Sequence, residues 1–220
     1  MTNKLMSHQL LLLIAMLCGM VLVPMVYSWG TNIIVSDGGI IRNEDTVGGL
    51  YGSTTSGQSF SAAYDNLYRI DIRFATYARE NTNTIDVSIL EKQNTTVVRH
   101  ITIDARNLKD CDLHPIEFDP IPTSRGKEYL ISLKSIDASP TNTITIWYSG
   151  NDAYAEGTRY HNGEPAEGDL CFVPYYQLSI VEAIAYFMQK ITCHWLFFTF
   201  YAIVAFATLY GVIVLRETLK

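Results

Sequence analysis

The residues best suited to contact a ligand lie in one long loop, residues 149–169, and on the strand just before it. They combine aromatic rings with hydrogen-bonding side chains: Trp147, Asp152, Tyr154, Tyr160 and Asn162. An aromatic ring can pack on the apolar face of a sugar while acids and amides bind its hydroxyl groups. These residues are therefore candidates for a glycan or protein contact. The favoured interpretation is a crossover loop whose tyrosines pack against the fold and whose acids are solvated, and the contact is the alternative.

The same loop also offers oxygen ligands for a metal ion. Asp152, Glu156 and Asp169 could coordinate calcium, which prefers carboxylate and carbonyl oxygens. Their spacing does not match an EF-hand, and no Cys or His cluster has the spacing of a zinc site. We therefore predict no metal and no cofactor, with calcium bound by residues 149–169 as the alternative.

One histidine near the C-terminus could take part in a different chemistry. His194 begins an aromatic-rich apolar stretch, where a neutral imidazole could ligate haem iron or chlorophyll magnesium. Lys190 lies one helical turn earlier, which places His194 at the level of lipid headgroups, where a histidine costs little. An ordinary interfacial histidine is therefore expected, and ligation of haem or chlorophyll is the alternative.

The sequence carries no recognisable catalytic motif, such as GxSxG, HExxH, a P-loop or a dinucleotide-binding fingerprint. The histidines of its central part, His100, His114 and His161, are scattered along the chain. Paired carboxylates occur anywhere on an acidic surface, so they identify no reaction. We expect a protein that is not an enzyme.

The central part of the chain is acidic. Residues 28–178 contain 12 Lys and Arg against 20 Asp and Glu, a net charge of −8, whereas the whole chain carries −6. Such a surface repels phosphate backbones, so we expect no nucleic-acid partner.

Two features of this acidic part depend on the compartment in which it lies. Cys111 and Cys171 could form one disulfide outside the cytoplasm, and two unpaired thiols are the alternative. The sequence Asn94-Thr95-Thr96 is an N-glycosylation sequon, which has meaning only in a host that modifies it.

Long apolar segments lie near both ends of the chain. Residues 10–27 are uncharged, and their length is on the border between a signal-peptide core and a transmembrane helix. Residues 191–215 contain no Asp, Glu, Lys or Arg. At about 1.5 Å per residue, a helix of this length can cross a hydrocarbon core of roughly 30 Å. We therefore predict a transmembrane helix over residues 191–215, and a transmembrane helix or signal peptide over residues 10–27.

Basic residues flank these segments and predict the orientation of the chain. Lys4 lies in the tail of residues 1–9, while Arg216 and Lys220 lie in the tail of residues 216–220. Lys and Arg favour the cytoplasmic side of a membrane. Both tails are therefore expected inside, and residues 28–178 outside the cytoplasm.

Residues 179–190 are predicted to form an amphipathic helix beside the membrane. Ser179 and Glu182 have the spacing of a capping box, which satisfies amide donors at a helix N-terminus. The apolar residues that follow fall on one stripe: Ile180, Ile184, Phe187 and Met188.

Residues 28–178 show the alternation of apolar and polar residues that is typical of β-strands. About eight short stretches share it, and turn residues separate them. In the clearest stretch four apolar residues alternate with charged ones: Tyr68, Ile70, Ile72 and Phe74. We therefore predict an all-β antiparallel sandwich, most simply a jelly roll, flanked by N- and C-terminal transmembrane helices.

Three stretches of this part resemble a known type of module: QSFSAAYDNLYRIDIRFATYARENTNTIDVSI, NTITIWYSGNDAYAEGTRYHNGEPAEGDLCF and the closing YYQ. They are similar to a jelly-roll-like module found beside transmembrane segments in uncharacterised bacterial and archaeal membrane proteins. The resemblance covers about 120 residues. It implies an extracytoplasmic sandwich and brings no assigned activity or site residues.

These features predict a non-catalytic accessory or interaction subunit of the cytoplasmic membrane, with its soluble domain on the extracytoplasmic side. Its expected partners are membrane lipid and other integral membrane proteins. The alternative is a surface glycan-binding module, which the aromatic and polar residues of the 149–169 loop favour by analogy with other sandwiches.

Overall fold

The structure is a computed structural model, and it describes residues 33–36, 39–41 and 44–218. The predicted tail of residues 1–9 and the apolar segment of residues 10–27 lie outside the described residues. The chain forms two compact units, and in the described residues the boundary between them falls between Leu178 and Ser179.

The first unit is built from short β-strands. In its described residues these are β1 (Ile33–Ser36), β2 (Asp45–Thr46), β3 (Thr55–Ser61), β4 (Leu67–Ala75), β5 (Thr84–Glu91), β6 (Thr96–Asp104), β7 (Leu113–Ile121), β8 (Glu128–Lys134), β9 (Thr145–Ser149), β10 (Arg159–His161), β11 (Glu164–Ala166), β12 (Asp169–Leu170) and β13 (Phe172–Leu178). One short 3-10 helix, Ala105–Asn107, lies between β6 and β7.

The strands form two sheets. One sheet has the order β1-β13-β4-β9-β12, with β2 added beside β9 and β7 beside β4. The other sheet has the order β11-β10-β3-β8-β5-β6. The pairs within both sheets are antiparallel, which confirms the predicted antiparallel β sandwich.

Alternation along the strands decides which side chains form the core. Ile85, Val87 and Ile89 of β5 are buried, as are Ile131 and Leu133 of the neighbouring β8. Successive side chains of a strand point to opposite faces, so each strand contributes every second residue. Burial of one such side chain stabilises the fold by about 1.5–3 kcal/mol.

Prolines interrupt two strands that lie at sheet edges. Pro115 and Pro120 belong to β7, which pairs with β4, and Pro165 belongs to β11, which pairs with β10. Proline has no N–H group to donate, so these edges present incomplete rows of hydrogen-bond donors.

The second unit contains two helices in its described residues, α1 (Ile180–Cys193) and α2 (Trp195–Thr218). The expected capping box begins α1: the backbone N–H of Ser179 donates to Glu182 Oε2 at 2.8 Å, and the N–H of Glu182 donates to Ser179 Oγ at 3.4 Å. The amphipathic helix predicted to end at residue 190 therefore continues to Cys193, and His194 separates the two helices.

Among residues 44–218, no helix combines the length and the sustained apolar character that crossing a membrane requires. This finding does not support the predicted span over residues 191–215. The first three residues of that segment belong to α1, and the rest follows the break at His194.

Candidate functional site

The 149–169 loop forms a cleft with a volume of about 340 Å³. This volume is at the lower end of the range for small-ligand sites, about 300–1,000 Å³. The cleft is lined by glycines, acids and two small side chains: Gly150, Asp152, Gly157, Thr158, Ala166, Glu167, Gly168 and Asp169. Glycines bring the backbone itself to the surface of the cleft, so amide groups as well as carboxylates are available there.

The carboxylate of Asp169 anchors the loop by hydrogen bonds to its backbone. Its side chain is buried, and its Oδ2 accepts hydrogen bonds from the backbone N–H groups of Ala153 at 2.9 Å and Tyr154 at 3.0 Å. Its Oδ1 accepts a hydrogen bond from Gln58 Nε2 at 2.9 Å. Because buried carboxylates need such partners, Asp169 serves the loop rather than a ligand.

Gln58 connects the two sheets at this point. It lies on β3 and is fully buried, and its Oε1 accepts a hydrogen bond from the backbone N–H of Leu170 on β12 at 2.9 Å. Both ends of its amide therefore bind β12, the strand at which the loop ends. Sequence reasoning missed Gln58, because a polar residue within a strand gives no sign of a partner 111 positions away.

Two glycines of the cleft admit no larger residue. A Cβ on Gly157 would lie 2.1 Å from the carbonyl oxygen of Ser59, and one on Gly168 would lie 2.0 Å from that of Ser149. Gly168 also has a φ of +77°, which L side chains rarely adopt. The sequence therefore shapes this cleft through close backbone contacts.

Tyr154 does not present its ring to a ligand. Its ring contacts Phe172 edge-to-face, with 5.3 Å between the ring centroids, and its hydroxyl donates to the carbonyl oxygen of Ser61 at 3.3 Å. This placement agrees with the favoured interpretation, in which the tyrosines pack against the fold.

Tyr160 and Asn162 belong to the β10–β11 hairpin beside the cleft. Tyr160 is half-buried on β10, where it lies opposite Gly57 of β3. Asn162 is exposed in the turn of the hairpin, and its Oδ1 accepts a hydrogen bond from the backbone N–H of Thr55 at 3.0 Å. Neither residue lines the cleft, so Asp152 alone of the five predicted contact residues does.

Trp147 is half-buried on β9, where Thr46 of β2 lies opposite to it. Its indole Nε1 is buried and has no hydrogen-bond partner among the described residues. β2 of the N-terminal segment therefore lies beside Trp147 in the same sheet.

Glu167 and Arg159 were not predicted and help to form the rim of the cleft. Glu167 lines it, while the Arg159 side chain donates from Nε to the carbonyl oxygen of Glu167 at 2.7 Å. The same guanidinium stacks over the ring of Tyr148 at 4.4 Å. These contacts use the positive charge of Arg159 beside the rim and leave the lining of the cleft acidic.

Calcium gains no support from this geometry. Among the described residues there is no group of three or more His, Cys, Asp or Glu side chains that could hold a metal ion. Of the three predicted ligands, Asp169 is used as described above, and Glu156 does not line the cleft.

The possible disulfide between Cys111 and Cys171 is not formed. Cys111 is exposed in a turn with a φ of +58°, whereas Cys171 is fully buried between β12 and β13. Burial raises the pKa of the Cys171 thiol to about 11, so this group is protonated at neutral pH. The two side chains thus lie in different environments.

A nucleophile, a base and an acid meet on the exposed face of the six-stranded sheet. His100 Nδ1 lies 3.3 Å from Ser88 Oγ, and His100 Nε2 lies 3.7 Å from Asp86 Oδ1. Because β5 is paired on both sides, its backbone N–H groups are used in the sheet and cannot stabilise an oxyanion. This group therefore gives no support for acyl transfer, and the absence of enzymatic activity stays a prediction.

His194 is exposed between two helices whose large apolar side chains are also exposed. On α2 these include Trp195, Leu196, Phe200, Tyr201, Ile203, Val204, Phe206 and Tyr210. His194 belongs to no group of three or more His, Cys, Asp or Glu side chains among the described residues. Haem iron or chlorophyll magnesium needs only one axial imidazole, so ligation by His194 stays an untested alternative.

The fold and the cleft define a β-sandwich module with an acidic surface cleft. The chain matches no known protein family and no curated protein. One solved structure with a limited likeness is the crystal structure of the cysteine protease and lectin-like domains of Cwp84, a surface-layer-associated protein of Clostridium difficile.

That structure is 8% identical in sequence and has a TM-score of 0.37. The match covers 57% of this chain and 32% of the other, so this chain spans about a third of its length. A likeness of this size carries no argument about function.

Proposed function

We propose that this protein is a non-catalytic accessory subunit that is held at the cytoplasmic membrane by its C-terminal helices and presents its β sandwich outside the cytoplasm. The exposure of large apolar side chains on α2 carries the proposal: Leu196 and Phe200 are each 67% exposed, and Tyr210 is 70% exposed. Exposed apolar surfaces of this extent mark sites of protein or membrane contact.

The distribution of these side chains around α2 favours lipid as the main contact. Phe200, Tyr201, Ile203, Val204 and Phe206 are all exposed within two helical turns, so they point in several directions around the helix axis. A protein partner on one side would need a single stripe, whereas a helix that is apolar all round suits a membrane. In this proposal, α2 inserts into the bilayer, as the sequence predicts for residues 191–215.

Charged residues support the orientation. Arg216 and Lys220 follow the apolar segment, and positive charge near a membrane segment favours the cytoplasmic side. The acidic sandwich then lies outside.

The strand order supports the finer classification of the sandwich as a jelly roll. Four strands of one sheet follow the order β1-β13-β4-β7, and four strands of the other follow β3-β8-β5-β6. Two four-stranded sheets whose strands alternate between the layers in this way are the arrangement of a jelly roll.

Small residues on α2 support contact with other integral membrane proteins. Ala202, Ala205, Ala207 and Gly211 let a neighbouring helix approach closely. An accessory subunit of this kind should be recovered in mild detergent as a particle larger than one chain.

Reconstitution with lipid tests the membrane proposal. The full chain is purified in mild detergent, mixed with phosphatidylcholine vesicles and floated on a density gradient. Ile203→Arg should reduce the floating fraction at least tenfold, because an arginine at the centre of an inserted helix costs about 2.5–3.5 kcal/mol.

Ile136→Arg is the matched control, because Ile136 is also exposed but lies on the sandwich, and this variant should float as the unchanged chain does. Equal flotation of the two variants, or no flotation of the unchanged chain, would contradict the proposal.

A second candidate function is glycan binding in the 149–169 cleft. Asp152 and Glu167 are exposed at the cleft and form no ion pair with a described residue, so their oxygens can accept hydrogen bonds from sugar hydroxyls.

On a glycan array, the detergent-purified full chain should bind, and Asp152→Ala should weaken binding at least tenfold. Glu164→Ala, on the neighbouring hairpin, should not. No binding of the unchanged chain to any glycan on the array, or equal binding by both variants, would contradict this candidate.

A further inference from the structure

The only Asn-x-Ser/Thr sequence in the chain lies at the tip of a β-hairpin. Asn94, Thr95 and Thr96 follow the end of β5 at Glu91, and Thr96 begins β6. Residues 92–97 are all exposed. An enzyme that modifies a folded chain needs such a protruding segment, since a residue within a sheet cannot enter its active site.

The geometry of the turn presents the side-chain amide of Asn94 outward. Asn94 Oδ1 accepts a hydrogen bond from the backbone N–H of Thr96 at 3.0 Å, which fixes the orientation of the amide. Its Nδ2 donates to Glu91 Oε2 at 3.0 Å, a single contact between two exposed side chains that is easily released. The nitrogen that would be modified is therefore at the surface.

The third residue of the sequence is also available. Thr96 is exposed, and its hydroxyl forms no hydrogen bond with a described residue, whereas the hydroxyl of Thr95 donates to the carbonyl oxygen of Asn94 at 2.7 Å. The two threonines thus differ: Thr95 stabilises the turn, and the Thr96 hydroxyl is open to recognition.

We propose that Asn94 is an acceptor site for N-linked glycosylation by a glycan carried on a polyprenyl phosphate. This inference rests on the proposed function, because such donors are used on the outer side of the membrane, where the sandwich is proposed to lie. The Asn94 nitrogen attacks the anomeric carbon of the glycan and loses one proton to solvent. A carbon–nitrogen bond forms, the bond from that carbon to the phosphate oxygen breaks, and the phosphate leaves with the electron pair. No oxidant or reductant takes part.

Expression of the full chain in cells whose oligosaccharyltransferase acts on Asn-x-Ser/Thr tests this site. The expected result is a glycan mass on the peptide that contains Asn94, found by peptide mapping. Thr96→Ala should abolish the modification, whereas Thr95→Ala and Thr96→Ser should retain it. A glycan that persists on Asn94 in Thr96→Ala would overturn the assignment.

Labelling of Cys111 in the same intact cells separates this inference from the proposed orientation. Cys111 is exposed on the sandwich, so a membrane-impermeant maleimide should label it, and Cys111→Ser is the control for its peptide. Labelled Cys111 with an unmodified Asn94 overturns the glycosylation site and leaves the orientation standing. Unlabelled Cys111 with an unmodified Asn94 overturns both.

Discussion

Asp110 and Asp169 stabilise two loops in the same way, by accepting hydrogen bonds from the backbone N–H groups of another segment. Asp110 Oδ1 accepts from the N–H of Thr76 at 2.6 Å and from its hydroxyl at 3.2 Å. The hydrogen bond from the Thr76 backbone is the main cause of the lowered pKa of Asp110. The charged carboxylate is therefore favoured in the folded protein.

Asp110→Asn should lower the free energy of unfolding at neutral pH by about 1 kcal/mol, since it removes the charge that strengthens these hydrogen bonds. The pKa of Asp110 is lower in the folded than in the unfolded chain. Its contribution is therefore present above the unfolded pKa and is lost as the pH falls through the folded pKa. The variant should accordingly lose less stability on acidification than the unchanged chain.

Urea unfolding of the full chain in detergent, at neutral pH and at several acidic values, measures this difference. Asp119→Asn is the control, because Asp119 is exposed and its carboxylate accepts no hydrogen bond from a described residue. If both variants changed stability equally at every pH, the role assigned to Asp110 would be wrong.

At the scale of elements, the β10–β11 hairpin shows how the residues of a tight turn join the last two strands at the edge of a sheet. Asn162 and Gly163 have φ values of +53° and +83°, and the flanking residues His161 and Glu164 pair directly. Two central residues with positive φ form the tight turn that Asn-Gly favours between antiparallel strands.

Gly163→Ala should cost about 1 kcal/mol of stability, because it places a Cβ on a residue with a left-handed backbone. Open space surrounds that Cβ, so the cost comes from the backbone conformation and not from a clash. Gly150→Ala is a matched control. A Cβ there would make an ordinary contact with Glu44 at 3.5 Å, and the φ of Gly150 is not in the left-handed region. Thermal unfolding of both variants measures the cost, and equal melting temperatures would contradict the role of backbone conformation.

The strands that were predicted correctly are those whose alternation is long enough to be recognised. β4, β5 and β8 each hold seven or more residues, and their apolar positions are buried as expected. The three-residue strands β10 and β11 were predicted as loop, although Asn162-Gly163 is a hairpin signal. Strands this short carry too few residues to show a period.

The candidate site was predicted only in part, for a similar reason. The sequence pointed to the 149–169 loop, and Asp152 does line its cleft. The inward packing of Tyr154 and the support from Gln58 depend on tertiary contacts with Phe172 and Asp169. Local patterns do not contain the distances that decide which side of a loop is exposed.

On the scale of the whole molecule, the two units treat apolar residues in opposite ways. The sandwich buries Phe60, Phe74 and Phe172, whereas α2 exposes Phe200 and Phe206. The pattern of apolar residues along the sequence predicted this difference. The apolar residues of the sandwich alternate with polar ones, and those of α2 do not. The interruption at His194 was not predicted, since no proline or glycine marks it.

The prolines at the sheet edges have a consequence for molecules held close together on one surface. Unpaired edge strands invite neighbouring copies to join their sheets and aggregate. Pro115 and Pro120 in β7, and Pro165 in β11, deprive such a contact of donors at one edge of each sheet. A crowded layer of these domains should therefore stay dispersed rather than grow into fibrils.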